Sequence, residues 1–238
     1  MHRVLFALAL FIASVPVARA AHPLVTEDTG THGKGHWQLE AFGEEGRERA
    51  TGARLKEYGA VLSHGVADTA DLQFGMPWIA SGAKGNGDAS LDLKWRFYEK
   101  DALSLGLKPG LTLPTGDEGE GRGTGRVTWG ALFILSYEPG PLELHAHAGY
   151  RRNRNELGER ESLRQLAGAA TYRLGAIRLI ADFARETNPI PGGGTARYTT
   201  LGAIWSVAGD FDLDAGWRTG QGGAAVDDVF LFGATRRW

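Results

Sequence analysis

The sequence predicts an all-β fold: a transmembrane antiparallel up-and-down β-barrel of about twelve strands, with short periplasmic turns and longer extracellular loops. Three observations predict it. Apolar side chains recur at every second residue in twelve segments, the connections alternate between short and long, and the chain opens with an export-signal pattern.

His2 and Arg3 give a short basic start, Val4 to Val17 an apolar stretch, and Ala18, Arg19 and Ala20 the small-x-small pattern read by a signal peptidase. Residues 1–20 are therefore expected to be a cleaved signal peptide, with an apolar part too short for a membrane anchor. Residues 21–35 form a polar N-terminal segment containing Gly30, Gly33 and Gly35. Its part from Pro23 to Lys34 is expected to fold into the periplasmic mouth as a partial plug, ahead of a barrel over residues 36–238.

Successive side chains of a strand point to opposite faces. Segments 36–45 and 54–64 alternate weakly, whereas Leu72, Phe74, Met76 and Trp78 share one face. In Leu91 to Tyr98 the apolar face carries Leu91, Leu93, Trp95 and Phe97, and the other Asp92, Lys94, Arg96 and Tyr98. Residues 103–113 continue with leucines and Pro109 against Ser104, Gly106, Lys108, Gly110 and Thr112, long enough to span a bilayer when tilted. The same two-sidedness runs through 127–137, 142–150, 177–186 and 211–218, and more weakly through 163–174, 197–207 and 228–238. Short turns are expected near 65–69, 99–102, 138–141, 174–176 and 208–210. Longer polar loops are expected at 46–53, 80–89, 114–126, 152–162, 187–196 and 219–227. A soluble β-sandwich also alternates, but it requires neither this asymmetry nor aromatics gathered toward strand ends. Trp37, Trp78, Trp129, Tyr137, Tyr150, Trp217 and Trp238 are therefore expected to form an interfacial girdle.

Composition excludes several classes. Mean hydropathy is −0.24 and no helix-length apolar run follows the leader, so a polytopic helical membrane protein is ruled out. Without Arg3 and Arg19 the chain carries 24 basic against 28 acidic residues, which gives no electrostatic reason to bind nucleic acid. Cysteine is absent, removing thiolate metal sites, cysteine catalysis and disulfides together. The 35 glycines show no period of three, so collagen is excluded.

Twelve strands at ordinary spacing and tilt close at a backbone diameter of about 24 Å, narrowed by side chains to about 10 Å. The candidate lumen-lining residues are Asp92, Lys94, Arg96, Lys108, Glu143, His145, His147, Arg151, Arg178, Asp182, Asp212, Asp214 and Arg218. Both signs are present, so the lining serves either as a selectivity filter or as a mutually neutralised interior. His145 and His147 share a face at a spacing that can bring two imidazoles to one metal, but polar filling of the lumen is the reading adopted, with no metal site and no cofactor expected. A barrel lipase needs serine and histidine on the lipid side, and both histidines lie in the polar phase, so no catalytic residues are expected. The glycine-rich loop from Thr115 to Arg126 precedes a strand and not a helix, which argues against a phosphate-cradling loop and for a flexible external one. Its Asp117, Glu118 and Glu120 are read as solvated charge, and Arg151, Arg152, Arg154 and Arg160 as a basic loop able to meet lipopolysaccharide.

The stretches HPLVTEDTGTHGKGHWQLE (His22 to Glu40), SLDLKWRFY (Ser90 to Tyr98), LKPGLTLPTGDEGEGRGTGR (Leu107 to Arg126) and GYRRNRNELGER (Gly149 to Arg160) resemble the outer-membrane family named for the meta pathway of phenol degradation. The resemblance implies a barrel in the bacterial outer membrane that transports small, aromatic or otherwise hydrophobic solutes. Expected partners are outer-membrane lipid and lipopolysaccharide, the barrel-assembly machinery, which would read the terminal Trp238, and a small organic solute. No energy-coupling element is visible, so the expectation is passive passage. Alternatives are a non-conducting structural barrel and a barrel lipid hydrolase.

Overall fold

A computed structural model describes residues 22–47, 52, 54–222 and 227–238. The expected signal peptide lies outside the described residues, as do parts of the loops at 46–53 and 219–227.

The described chain is all-β. The strands are β1 (Trp37–Arg47), β2 (Arg54–Ala67), β3 (Ala70–Ile79), β4 (Gly85–Asn86), β5 (Ala89–Lys100), β6 (Leu103–Leu113), β7 (Thr128–Tyr137), β8 (Leu142–Arg152), β9 (Ser162–Leu174), β10 (Ile177–Thr187), β11 (Thr195–Ala208), β12 (Phe211–Gln221) and β13 (Asp228–Arg237). Except for β4, each pairs antiparallel with its neighbours in sequence, and β13 returns to β1, giving a closed barrel of twelve strands plus one extra. The extra strand is a two-residue hairpin arm of β3 inside the segment expected to be only loop. At the seam, Trp37 and Trp238 exchange backbone hydrogen bonds of 2.8 and 3.0 Å. Closure leaves no strand edge, which is what a sheet needs in a medium without water to satisfy its backbone.

The two ends of the barrel differ as the spacing predicts. One carries the tight turns, the start of β1 and the end of β13 (the turn end); the other carries the long connections (the loop end). Three register shifts, at Gly65/Ala67, Arg96/Tyr98 and Ser206/Ala208, all lie toward the turn end. Each adds one residue and flips the inside-outside phase beyond it. One corrects the alternation: Tyr98 was expected on the inner face beside Arg96, but the bulge at Phe97 turns both aromatics outward, and Tyr98 is exposed opposite Leu105.

Burial is inverted relative to a water-soluble domain. Leu72, Leu93, Phe133, Leu166, Phe183, Leu201 and Phe230 are exposed on the outer wall, while Lys108, Glu27, Glu44, His147 and Asp71 are among the most buried side chains. Of the girdle residues, Trp78, Trp129, Tyr137, Tyr150, Trp217 and Trp238 are exposed, and Trp37 is half-buried, stacked on His64. Trp95 and Trp205, which were not among the expected girdle residues, stand on the same outer surface. An apolar exterior around a charged interior is stable only if something apolar covers the exterior.

Candidate functional site

Residues 22–36 do not hang below the barrel. From His36 the chain runs backward into the lumen at the turn end and passes along most of the inner wall. Gly35 N donates to Gly65 O and Gly65 N to His36 O, at 2.8 and 2.9 Å. Next, Lys34 N donates to Asp68 and His32 N to Asp71, both at the start of β3 or its turn. Lys94 of β5 donates to Gly30 O at 3.0 Å and to Asp28 at 3.1 Å. Thr29 reaches Ser136 on β7 and Ser104 on β6. Glu27 N donates to His147 Nδ1 on β8, and the amides of Val25 and Thr26 donate to Asp182 on β10. Leu24 packs with Ala169, Ile180 and Ile204, and His22 donates to Asp214 on β12 and stacks on Phe42 of β1.

The wall is shaped for this path. A Cβ on Gly65 would lie 1.8 Å from Gly33 O, and one on Gly202 or Gly216 would lie 3.1 Å from the Pro23 ring. Only the absence of a side chain at Gly65 lets two backbones meet there.

The electrostatic centre is Glu27. Its carboxylate receives Lys108 Nζ at 2.6 Å and Lys94 Nζ at 2.8 Å, with Glu27 and Lys108 each only 1% exposed. Burial alone would push the Glu27 carboxyl up, but Lys108 and Lys94 outweigh it and hold it below its ordinary value. Asp28 is likewise held low, burial being overcome by Lys94 and His145. His32 is lowered, first by burial and further by Lys94 and Arg237, against the opposing pull of Asp71.

The structure brings together six of the expected lumen residues, Lys94, Lys108, His147, Asp182, Asp214 and His145, around this segment; His145 joins through Ser136. His145 and His147 thus engage separate partners. Glu143 is held by Thr171, Arg173 and Arg178 near the turn end, and Asp212 by Arg237. Arg96 pairs with Glu99 at 3.2 Å. Toward the loop end Arg218 binds Glu44 and lies over Tyr198, while Asp92 and Arg151 are half-buried on the wall. Glu27, Glu40, Glu44, Glu57 and Asp71, all buried, were missed. Glu40 and Glu44 carry a period-two signal with Gln38, masked by the inward Phe42 between them.

The loops are more ordered than expected. Asp88 accepts from Gly116 N and Thr124 N, and Arg122 bridges Glu120 and Asp117, so the glycine-rich loop is pinned and not free. The expected basic loop is also largely consumed: Arg151 turns inward, Arg152 pairs with Glu161, and Arg160 binds the backbone of Pro189 and Ile190.

The fold recurs in solved channels and porins. An outer membrane channel from Pseudomonas putida F1 superposes with a TM-score of 0.66 at 13% identity, covering 89% of this chain and 98% of that one. A KdgM porin gives 0.62 at 7% identity over 84% and 98%. The CymD monoaromatic hydrocarbon channel gives 0.52 at 8% identity over 86% and 88%. No curated protein matches the sequence. A family model described as "Putative MetA-pathway of phenol degradation" matches residues 23–230.

Proposed function

The chain belongs to this phenol-degradation family, and from that premise we propose that it is an outer-membrane channel for passive passage of small organic solutes, constricted by its own N-terminal segment. The observation that carries the reading is the ring of wall contacts made by residues 22–35, centred on Glu27 between Lys94 and Lys108. A merely structural barrel can fill its lumen with wall side chains alone. Here a backbone segment is threaded through it and held by polar bonds, which can be exchanged for water far more readily than a packed apolar core.

The lining is polar and of both signs, with apolar islands at Leu132, Ile134, Val229 and Leu231. Such a surface suits a solute with an apolar body and a polar handle, an aromatic acid or alcohol. Passage down a gradient needs no more than this. An enzymatic reading finds less support, since both histidines of β8 are already hydrogen-bonded within the wall-segment interface.

Liposome swelling with a panel of aromatic acids, sugars and amino acids tests the proposal. Faster swelling with aromatic acids than with sugars of equal mass is expected. Vesicles containing folded barrel that swell no faster than empty ones would refute it.

A further inference from the structure

The outer wall carries a basic cluster that neither the lumen nor the loops absorb. Arg164 of β9, Arg185 of β10 and Arg197 of β11 all fall in the outward phase near the loop end, and all three are exposed. Arg185 stands directly opposite Arg197 in the ladder, and Arg164 lies one outward position from Leu166, which opposes Arg185. Like charges directly opposite destabilise a sheet. Among the described residues none of the three forms a salt bridge, whereas Arg126 and Arg152 in the loops are each paired with a glutamate.

The neighbourhood fixes the depth. Tyr150, opposite Arg164, and Trp129, packed edge-on against Tyr150, continue the aromatic belt beside the cluster. Aromatic rings sit at the headgroup boundary, so the arginines interrupting that belt are at headgroup level. Deeper along the same three strands, the outward positions hold Leu166, Phe183 and, past Thr199, Leu201, exposed by 57%, 50% and 61%. Guanidinium groups above and apolar side chains below match a ligand with an anionic head and acyl tails. The planar fork of arginine favours phosphate.

We propose that Arg164, Arg185 and Arg197 form a binding site for the phosphate groups of a phosphorylated glycolipid of the outer leaflet, its acyl chains lying on Leu166, Phe183 and Leu201. The inference rests on the outer-membrane reading above, since that leaflet supplies the ligand. It differs from the sequence expectation, which placed such contacts on Arg151, Arg152, Arg154 and Arg160.

The test is intact-complex mass spectrometry of barrel extracted from outer membranes in mild detergent, counting bound lipopolysaccharide. The parent is expected to retain it, and the triple variant Arg164→Gln, Arg185→Gln, Arg197→Gln to retain about tenfold less. Arg152→Gln, whose parent side chain is paired with Glu161, is expected to match the parent. Adding lipopolysaccharide stripped of phosphate should restore nothing. A second readout needs only one change: Arg185→Gln should raise the melting temperature in lipid-free detergent, by relieving the like-charge pair, and should diminish the further rise that added lipopolysaccharide gives the parent. Equal retention by parent and triple variant, or equal binding of the phosphate-free lipid, overturns the site. Heat-modifiable gel mobility separates this from failure of the barrel reading, in which the parent itself would show no folded, membrane-extracted form.

Discussion

Replacing Glu27 by glutamine removes the carboxylate that bridges Lys94 and Lys108 inside the barrel, at 2.8 and 2.6 Å. Breaking a buried ion pair by deleting one partner costs about 3–5 kcal/mol, because the remaining charge is left uncompensated. Lys94 keeps Asp28 at 3.1 Å, so Lys108 is the group stranded and the lower figure applies. About 3 kcal/mol shifts the balance between docked and undocked segment roughly 150-fold. The assay is single-channel recording in planar bilayers, reading the fraction of time spent at high conductance. Glu27→Gln should raise that fraction strongly. A double change, Glu27→Leu with Lys108→Met, which leaves Lys94 on Asp28, should bring it back toward the parent, since an apolar replacement of a buried ion pair is often neutral or stabilising. Traces for Glu27→Gln indistinguishable from the parent would show that this cluster does not hold the segment, and the reasoning from buried charge would fail.

The remaining predictions follow from the same contacts. Gly65→Ala sets a Cβ against Gly33 O and should weaken docking by about 1–3 kcal/mol, read as more frequent high-conductance openings; unchanged openings would mean the two backbones separate at no cost. Phe133→Arg, on the exposed face midway along β7, should destabilise the barrel in lipid by about 2–4 kcal/mol in urea titrations, and no change would place that face outside the hydrocarbon. Acidification should release the segment: Glu27 and Asp28 have lowered folded values, so their contribution is present above the ordinary carboxylate range and is lost as pH falls through those values. Lowered His32 acts in the same direction, beginning below its ordinary 6.5. Openings should therefore be near constant above neutral pH, rise slightly below 6.5 and steeply only below about 4; a rise on alkalinisation instead would contradict the assigned signs.

The barrel was legible because a membrane strand exposes one face to each medium, and the alternation from Leu103 to Leu113 records both. The ends of the strands were legible from loop polarity, since six long and five short connections must fall on opposite rims. Tyr98 was misplaced because a bulge adds one residue without changing the composition, so the period-two pattern slips silently. The candidate site was half legible. Wall residues such as Lys94 and Lys108 follow from strand phase, but their partner Glu27 lies far away in sequence on a segment with no periodicity. Its place is set by Gly65, Gly202 and Gly216, whose inward positions look like ordinary strand glycines until the segment occupies them.

Six of the seven tryptophans, Trp78, Trp95, Trp129, Trp205, Trp217 and Trp238, are exposed on the outer wall. Quenching of their fluorescence by lipids brominated along the acyl chain therefore probes the covering medium itself. Strong quenching, deepest for Trp95 near the middle of β5 and shallower for Trp78 and Trp129 near the loop end, is predicted in reconstituted vesicles. Fluorescence untouched by brominated lipid, from folded protein that remains monodisperse after the detergent is withdrawn, would contradict a bilayer-spanning barrel and the channel built on it.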